Sequence, residues 1–284
     1  KIKQINVESL EELKDIEVIC KKLKIKTNVC LRVNPDINAN THDKISTGRL
    51  EDKFGIPNDQ IQHIFNTYRN SRFIKIIGLS IHIGSQIESL SPFKNAFMKI
   101  KQQVVDLRKN GFEISTVDLG GGIGIKYNEK SRILDIGMYT RLIEKIFSNM
   151  KLKIIIEPGR FIVGASGIIL TKVIRVKKGQ NKNFLIIDAG MNNLIRPALY
   201  DAKHKIFPVK LSSKKEILYD VVGPICESSD VFMKNVKIPE LNKDDLVIIS
   251  STGAYSSCMA SDYNLRPKAK EIFVKEKITK VSNS

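Results

Sequence analysis

Three short strings sit where apolar, β-branched runs end: His82-Ile83-Gly84-Ser85, Asp118-Leu119-Gly120-Gly121-Gly122 and Glu157-Pro158-Gly159-Arg160. The runs before them, Ile76–Ile81, Ile114–Val117 and Lys153–Ile156, read as strands. Between them lie stretches with helical spacing. A helix opens near Glu8 and carries Ile16, Ile19 and Leu23 on one face. Others cover Pro57–Tyr68, Ser91 to Leu107 with a stop at Asn110-Gly111, and Tyr139–Phe147. With Ile2–Val7 and Asn28–Val33 the series holds five strands and about four helices. Strand–helix alternation predicts a parallel sheet with right-handed crossovers, either an open doubly wound sheet or part of a barrel. The C-terminal strand ends of a parallel barrel share one mouth, so chemistry-bearing strings recurring there predict one site.

The rhythm changes near Gly167. Ile168–Val176, Phe184–Ile187, Glu216–Val222 and Leu246–Ser250 are short strands separated by turns. Residues 1–167 therefore read as a barrel part and 168–284 as an all-β domain.

Composition narrows the function. The net charge of +17 raises the question of nucleic acid, but the lysines are spread from Lys1 to Lys280 without a dominant block or aromatic interleaving, so neither nucleic acid nor a membrane surface is expected as partner. No apolar run approaches the roughly 18 residues of a membrane span. The start lacks the apolar core of a secretory signal, and a cytoplasmic location is expected. None of the four cysteines forms a Cys-x-x-Cys pair and no two histidines have helix-face spacing, so no metal site is expected.

Each string has two readings. Gly120–Gly122 is a tight loop, or a cradle whose amides approach a phosphate. Glu157 and Arg160 form a surface turn closed by an ion pair, or a buried carboxylate that wants a cation such as a protonated ring nitrogen. His82 is a satisfied core residue or stacks on a planar ligand. Cys226-Glu227, after Val221-Val222-Gly223-Pro224, is a solvated turn or a paired thiol and acid.

Taken in order, Arg32-Val33-Asn34-Pro35, Lys53-Phe54-Gly55-Ile56, the three strings above with Gln86, Arg196-Pro197-Ala198-Leu199-Tyr200, Gly223-Pro224-Ile225-Cys226-Glu227-Ser228 and Gly253-Ala254-Tyr255 closely resemble the diaminopimelate decarboxylase family, fold-type III pyridoxal-phosphate enzymes with an alanine-racemase-like barrel. The resemblance spans nearly the whole chain. It implies a (β/α)8 barrel, present here from about strand 4 to strand 8, followed by a β domain. It implies pyridoxal 5'-phosphate as cofactor and decarboxylation of meso-2,6-diaminopimelate to L-lysine and carbon dioxide, the last step of lysine biosynthesis. The related decarboxylases of ornithine, arginine or carboxynorspermidine are the alternative.

By the same resemblance His82 stacks on the cofactor ring, Glu157 of the Glu157-Pro158-Gly159-Arg160 string pairs with the ring nitrogen, and Ser85, Gly121, Gly122 and Tyr255 hold the phosphate. Cys226 is the proton donor. Arg160, Arg196 and Tyr200 grip the distal carboxylate, and Glu227 meets the distal ammonium. A homodimer with shared sites is implied. The family's Tyr-Ala-Val-Lys-Ala-Asn-like string, which carries the cofactor lysine, is not found in the 284 residues, so the chain is expected to be an N-terminally truncated fragment, inactive alone. Ser229 replaces the usual glycine, Asp262 the usual asparagine and Lys203 the usual tyrosine.

Overall fold

The computed structural model describes residues 2–37, 53–129, 131–210, 212–275 and 278–281. It divides into two compact units, residues 1–125 with 132–161, and residues 126–131 with 162–284.

The first unit is one sheet of five parallel strands, β1 (Ile5–Val7), β2 (Thr27–Arg32), β3 (Ile74–Ser80), β4 (Thr116–Asp118) and β5 (Lys153–Ile155), hydrogen-bonded in chain order. Helices α1 (Leu10–Leu23), α2 (Asn58–Thr67), α3 (Leu90–Lys109) and α4 (Ile136–Phe147) lie in the crossovers. The order 1-2-3-4-5 decides between the two expected topologies. A doubly wound sheet reverses its strand order partway, and this one does not, so it is a barrel arc.

Register explains how the arc is built. Val7, Leu31, Leu79, Val117 and Ile154 pair in one unbroken row across all five strands and join the apolar core beneath the helices. The alternating residues form a second row, Asn6, Cys30, Gly78, Thr116 and Lys153, followed by Arg32, Ser80 and Asp118. One face of the sheet is therefore apolar and the other carries polar groups. Gly78 is required in the polar row, because a Cβ there would stand 1.9 Å from the Thr116 carbonyl oxygen.

Local signals set the helices. Ser9 caps α1 by accepting from the Glu12 amide at 3.1 Å, and Lys24 ends it in the left-handed region. Asp135 caps α4 by accepting from the Met138 amide at 2.9 Å, which starts this helix three residues ahead of the expected Tyr139. Pro92 sits in the first turn of α3, where its missing N–H costs nothing. The α3 and α4 faces meet through Phe93, Phe97, Tyr139 and Phe147. The Phe93–Tyr139 rings are edge-on at 5.1 Å.

Strands dominate the second unit. Its main sheet has six strands in the order β10-β9-β7-β6-β11-β8: β6 (Ile169–Lys178), β7 (Asn183–Ile187), β8 (Ile206–Pro208), β9 (Glu216–Val222), β10 (Val231–Pro239) and β11 (Leu246–Ile249). Only β7 and β9 pair in parallel within it. A hairpin of β12 (Ile272–Lys275) and β13 (Ile278–Val281) stands apart from that sheet. The sequence reading missed β8, β10 and the β12–β13 hairpin. β8 has three residues, and β10 carries two register shifts with Asn235 at φ 56°, which breaks the period-2 pattern. Arg196–Tyr200 is one helical turn with Pro197 at its start.

Phe97 is wholly buried within the aromatic cluster, so Phe97→Ala should cost about 3–5 kcal/mol. Urea denaturation of the two proteins measures it.

Candidate active site

Every predicted barrel residue follows the C-terminal end of β3, β4 or β5. His82 and Ser85 follow β3, Gly121 and Gly122 follow β4, and Glu157-Pro158-Gly159-Arg160 follows β5 and opens a short helix, α5 (Gly159–Val163). Glycine draws these loops together. Gly120 and Gly122 have φ of +66° and +99°. A Cβ on Gly120 would stand 2.2 Å from the Ile81 carbonyl oxygen, on Gly121 2.2 Å from that of Glu157, and on Gly122 2.4 Å from that of Gly84. The ladder continues into the loops through an Ile87–Ile123 bridge, and Gln86 adds two bonds to Ile125, accepting from its amide at 3.2 Å and donating to its carbonyl at 2.6 Å.

The imidazole of His82 lies against Gly120 and Gly121, and its Nδ1 accepts from the Gly121 amide at 3.2 Å. Nδ1 therefore carries no proton, and the neutral ring has its proton on Nε2. Burial, with the Arg32 charge added, pushes the His82 pKa down to about 4. Arg32 is itself ion-paired to Glu8, whose second oxygen accepts from the Gly55 amide at 2.8 Å. The amides of Gly120 and Gly121 are thus engaged by the Asp118 carboxylate, at 3.0 Å, and by His82. The donors this loop can turn toward an anion begin at Gly122.

Two carboxylates at these strand ends share one side-chain amide. Asn6 donates to Asp118 Oδ2 at 2.9 Å and to Glu157 Oε1 at 3.1 Å. Partial burial and the nearby Asp118 charge raise the Glu157 pKa. Of the two readings of the Glu157 string, the buried carboxylate is not found: the fully buried carboxylate at these strand ends is Asp118, while Glu157 is largely exposed. β5 ends at Ile155, so Glu157 stands beyond the sheet, whereas Asp118 is the last residue of β4. Arg160 is buried and donates to Ser85 Oγ from Nη2 at 3.0 Å and from Nε at 3.3 Å. Pro158 is half-buried, and Gly159 donates to the Glu157 carbonyl at 2.9 Å.

In the second unit Arg196 and Tyr200 open and close α6 (Arg196–Tyr200). Arg196 is buried. Its guanidinium lies 4.5 Å from the Tyr127 ring centroid and donates to His204 Nε2 at 2.8 Å. Arginine only donates, so His204 carries its proton on Nδ1, which meets the Ser250 carbonyl at 2.9 Å. Cys226 and Glu227 are exposed on the loop after β9. Buried Asp230 clasps that loop, accepting from Ile225 N at 2.8 Å and from Met191 N at 2.7 Å. Glu227 accepts from the Tyr263 hydroxyl at 2.5 Å. Tyr255, at φ 58°, is exposed on the turn after Gly253.

The chain matches the pyridoxal-binding domain of pyridoxal-dependent decarboxylases over residues 1–164 and their C-terminal sheet domain over residues 102–253. The chain belongs to the pyridoxal-dependent decarboxylases. Within that family it is similar to the diaminopimelate decarboxylase of Helicobacter pylori, at 43% identity over 273 residues that cover 96% of this chain and 67% of the relative. The crystal structure of the Helicobacter pylori enzyme complexed with L-lysine aligns with a TM-score of 0.92 at 42% identity, covering 97% of this chain and 68% of that one. A Vibrio vulnificus lysine/ornithine decarboxylase complexed with putrescine aligns less well, with a TM-score of 0.78 at 25% identity over 94% of this chain and 68% of that one. The chain spans about two thirds of the length of these relatives.

The sequence reading of this decarboxylase site left Asn6, Gln86, Asp230 and Tyr263 without roles. Asn6 had a usable signal, a polar residue inside an apolar parallel strand. Tyr263 had none, because its partner lies 36 residues away in the chain.

A lowered histidine pKa carries a stability signature. Between pH 6.5 and about 4 the unfolded chain binds a proton at His82 that the folded chain does not. Stability is then complete above pH 6.5 and falls, by up to about 3 kcal/mol, as pH drops toward 4. A His82→Gln variant should lose that part of the decline in denaturation midpoints measured from pH 7 to pH 4.5.

Proposed function

We propose that this chain, together with a segment carrying the cofactor lysine, decarboxylates meso-2,6-diaminopimelate to L-lysine and carbon dioxide with pyridoxal 5'-phosphate as cofactor. The observation that carries the reading is the set of family residues gathered at three adjacent strand ends. The higher identity and TM-score of the diaminopimelate enzyme favour that substrate over ornithine. L-Lysine, the product of this reaction, is the molecule bound in the Helicobacter pylori structure.

The donor set fits the cofactor. Two carboxylates bridged by one amide, with the Glu157 pKa raised by partial burial and then by its partner's charge, form a spot that a protonated ring nitrogen would relieve. When bound, the cofactor supplies a protonated ring that takes up the electron pair left by the departing carboxylate. Glu157 holds the ring proton in place, and Asn6 and Asp118 fix the orientation of Glu157. His82 offers a neutral aromatic face whose tautomer Gly121 sets. Ser85, accepting from Arg160, has its hydroxyl proton left to donate to the phosphate, together with Tyr255 and the amides from Gly122 onward.

In this reading Arg160, Arg196 and Tyr200 grip the carboxylate that must stay. His204 and Tyr127 lock the plane of the Arg196 guanidinium before substrate arrives, which favours two parallel bonds to a carboxylate. Glu227 meets the distal ammonium, and Cys226 returns a proton to the carbon that lost its carboxylate. We further propose a homodimer in which the Cys226–Glu227 loop and Tyr255 complete a shared site. Four free thiols accord with a reducing cytoplasm. Residues 1–167 as the barrel part and 168–284 as the β domain form the division of labour proposed for this chemistry.

Two variants of the holoenzyme test the reading. Glu157→Gln should lower kcat by about 10²-fold or more, because the ring proton loses its counter-charge. Arg196→Ala should abolish diaminopimelate turnover, followed as carbon dioxide release. Retained turnover overturns the carboxylate grip, and ornithine outcompeting diaminopimelate in the unaltered enzyme overturns the substrate.

A further inference from the structure

Glu227 is held from a third loop. The Tyr263 hydroxyl donates to Glu227 Oε1 at 2.5 Å. The loop bearing Glu227 is itself fixed: Glu227 N donates to the Ile225 carbonyl at 2.8 Å, Asp230 N donates to the Glu227 carbonyl at 3.1 Å, and the Asp230 carboxylate ties the loop to Met191. A Cβ on Gly223 would stand 2.3 Å from Asp230 Oδ2, so the clasp closes tightly on the strand end. The segment bearing Tyr263 is anchored on both sides. Ser261 N donates to the Asn192 carbonyl at 2.9 Å, and Arg266 Nη2 donates to the Asp188 carbonyl at 3.0 Å. Asn264 and Leu265 both have positive φ, which turns the chain sharply between these anchors. The loops of Asp188–Asn193, Ile225–Asp230 and Ser261–Arg266 are thereby braced on one another, and the Tyr263 phenol of the third loop reaches the Glu227 carboxylate.

We propose that Tyr263 is a positioning residue that aims Glu227 at the distal ammonium of the substrate, and so sets selectivity for a diamino acid. The inference rests on the functional reading above, which gives Glu227 that contact. Glutamate is long and exposed here, and an exposed carboxylate samples several rotamers. A phenol on Oε1 removes that freedom and turns Oε2 toward an incoming cation. A hydroxyl donating to a charged acceptor is also among the stronger hydrogen bonds. The surface alternative, a pair that contributes nothing, is the usual fate of exposed partners, and it makes a different prediction.

The test is a double-mutant cycle in the holoenzyme with diaminopimelate. Tyr263→Phe should raise KM about tenfold, the loss of one hydrogen bond to a charged group, with kcat changed less than about twofold. In a Glu227→Gln background the same Tyr263→Phe change should add little, because the partner is already gone. An unchanged KM in Tyr263→Phe, or an effect that persists undiminished in the Glu227→Gln background, overturns the proposal. A second measurement needs neither substrate nor turnover. Glu227 holds the Tyr263 phenol above its ordinary range, so Glu227→Gln should move one phenol to a lower pH in ultraviolet titration, and Tyr263→Phe should remove that signal. No shift overturns the proposal even if Tyr263→Phe fails to fold. A shift seen in an enzyme without diaminopimelate turnover would leave the brace standing and place the failure with the substrate assignment.

Discussion

At three neighbouring strand ends, main chain touches main chain where a side chain would ordinarily stand. Gly120 lies against Ile81, Gly121 against Glu157 and Gly122 against Gly84, each so close that no Cβ fits. These contacts bring the loops after β3, β4 and β5 into one cluster. They also decide what the glycines do. Two of the three loop amides are occupied by His82 and Asp118, so the loop acts first as a spacer that sets an imidazole and only secondarily as a nest for an anion. The tight-loop reading of the sequence describes Gly120 and Gly121.

Electrostatics at the mouth follow from that approach. Asp118 is buried, and a buried carboxylate needs donors. It has the Gly120 amide and the Asn6 side chain. Asn6 spends its second donor on Glu157, which couples an exposed acid to a buried one. Across the sheet Arg32 is neutralised by Glu8 and still helps to keep His82 uncharged. These strand ends therefore present two linked carboxylates and an imidazole that brings no charge of its own.

Much of the arc was legible in the sequence because strand-end strings and helix caps are local signals. Asp118, Glu157 and Arg160 were found at their strand ends, and strand order then separated barrel from open sheet, which no local pattern can do. The burial of Glu157 was misjudged, since the reading carried the apolar run one residue past the true end of β5. β10 was hidden by its bulges and by Asn235 in a left-handed conformation. Asp230 and Tyr263 were unreadable for a different reason. Each acts on a partner brought near by tertiary folding, and a lone Asp or Tyr in a loop gives no hint of it.

The four thiols are divided between the two units in a way that affects how the protein meets oxidants. Cys20 and Cys30 are sealed in the first unit, and burial drives Cys30 up to a pKa of about 12, so almost no thiolate exists there. Cys226 and Cys258 are open to solvent in the second unit. Oxidants and alkylating agents would therefore meet Cys226 and Cys258 first and leave the two sealed thiols of the barrel arc intact.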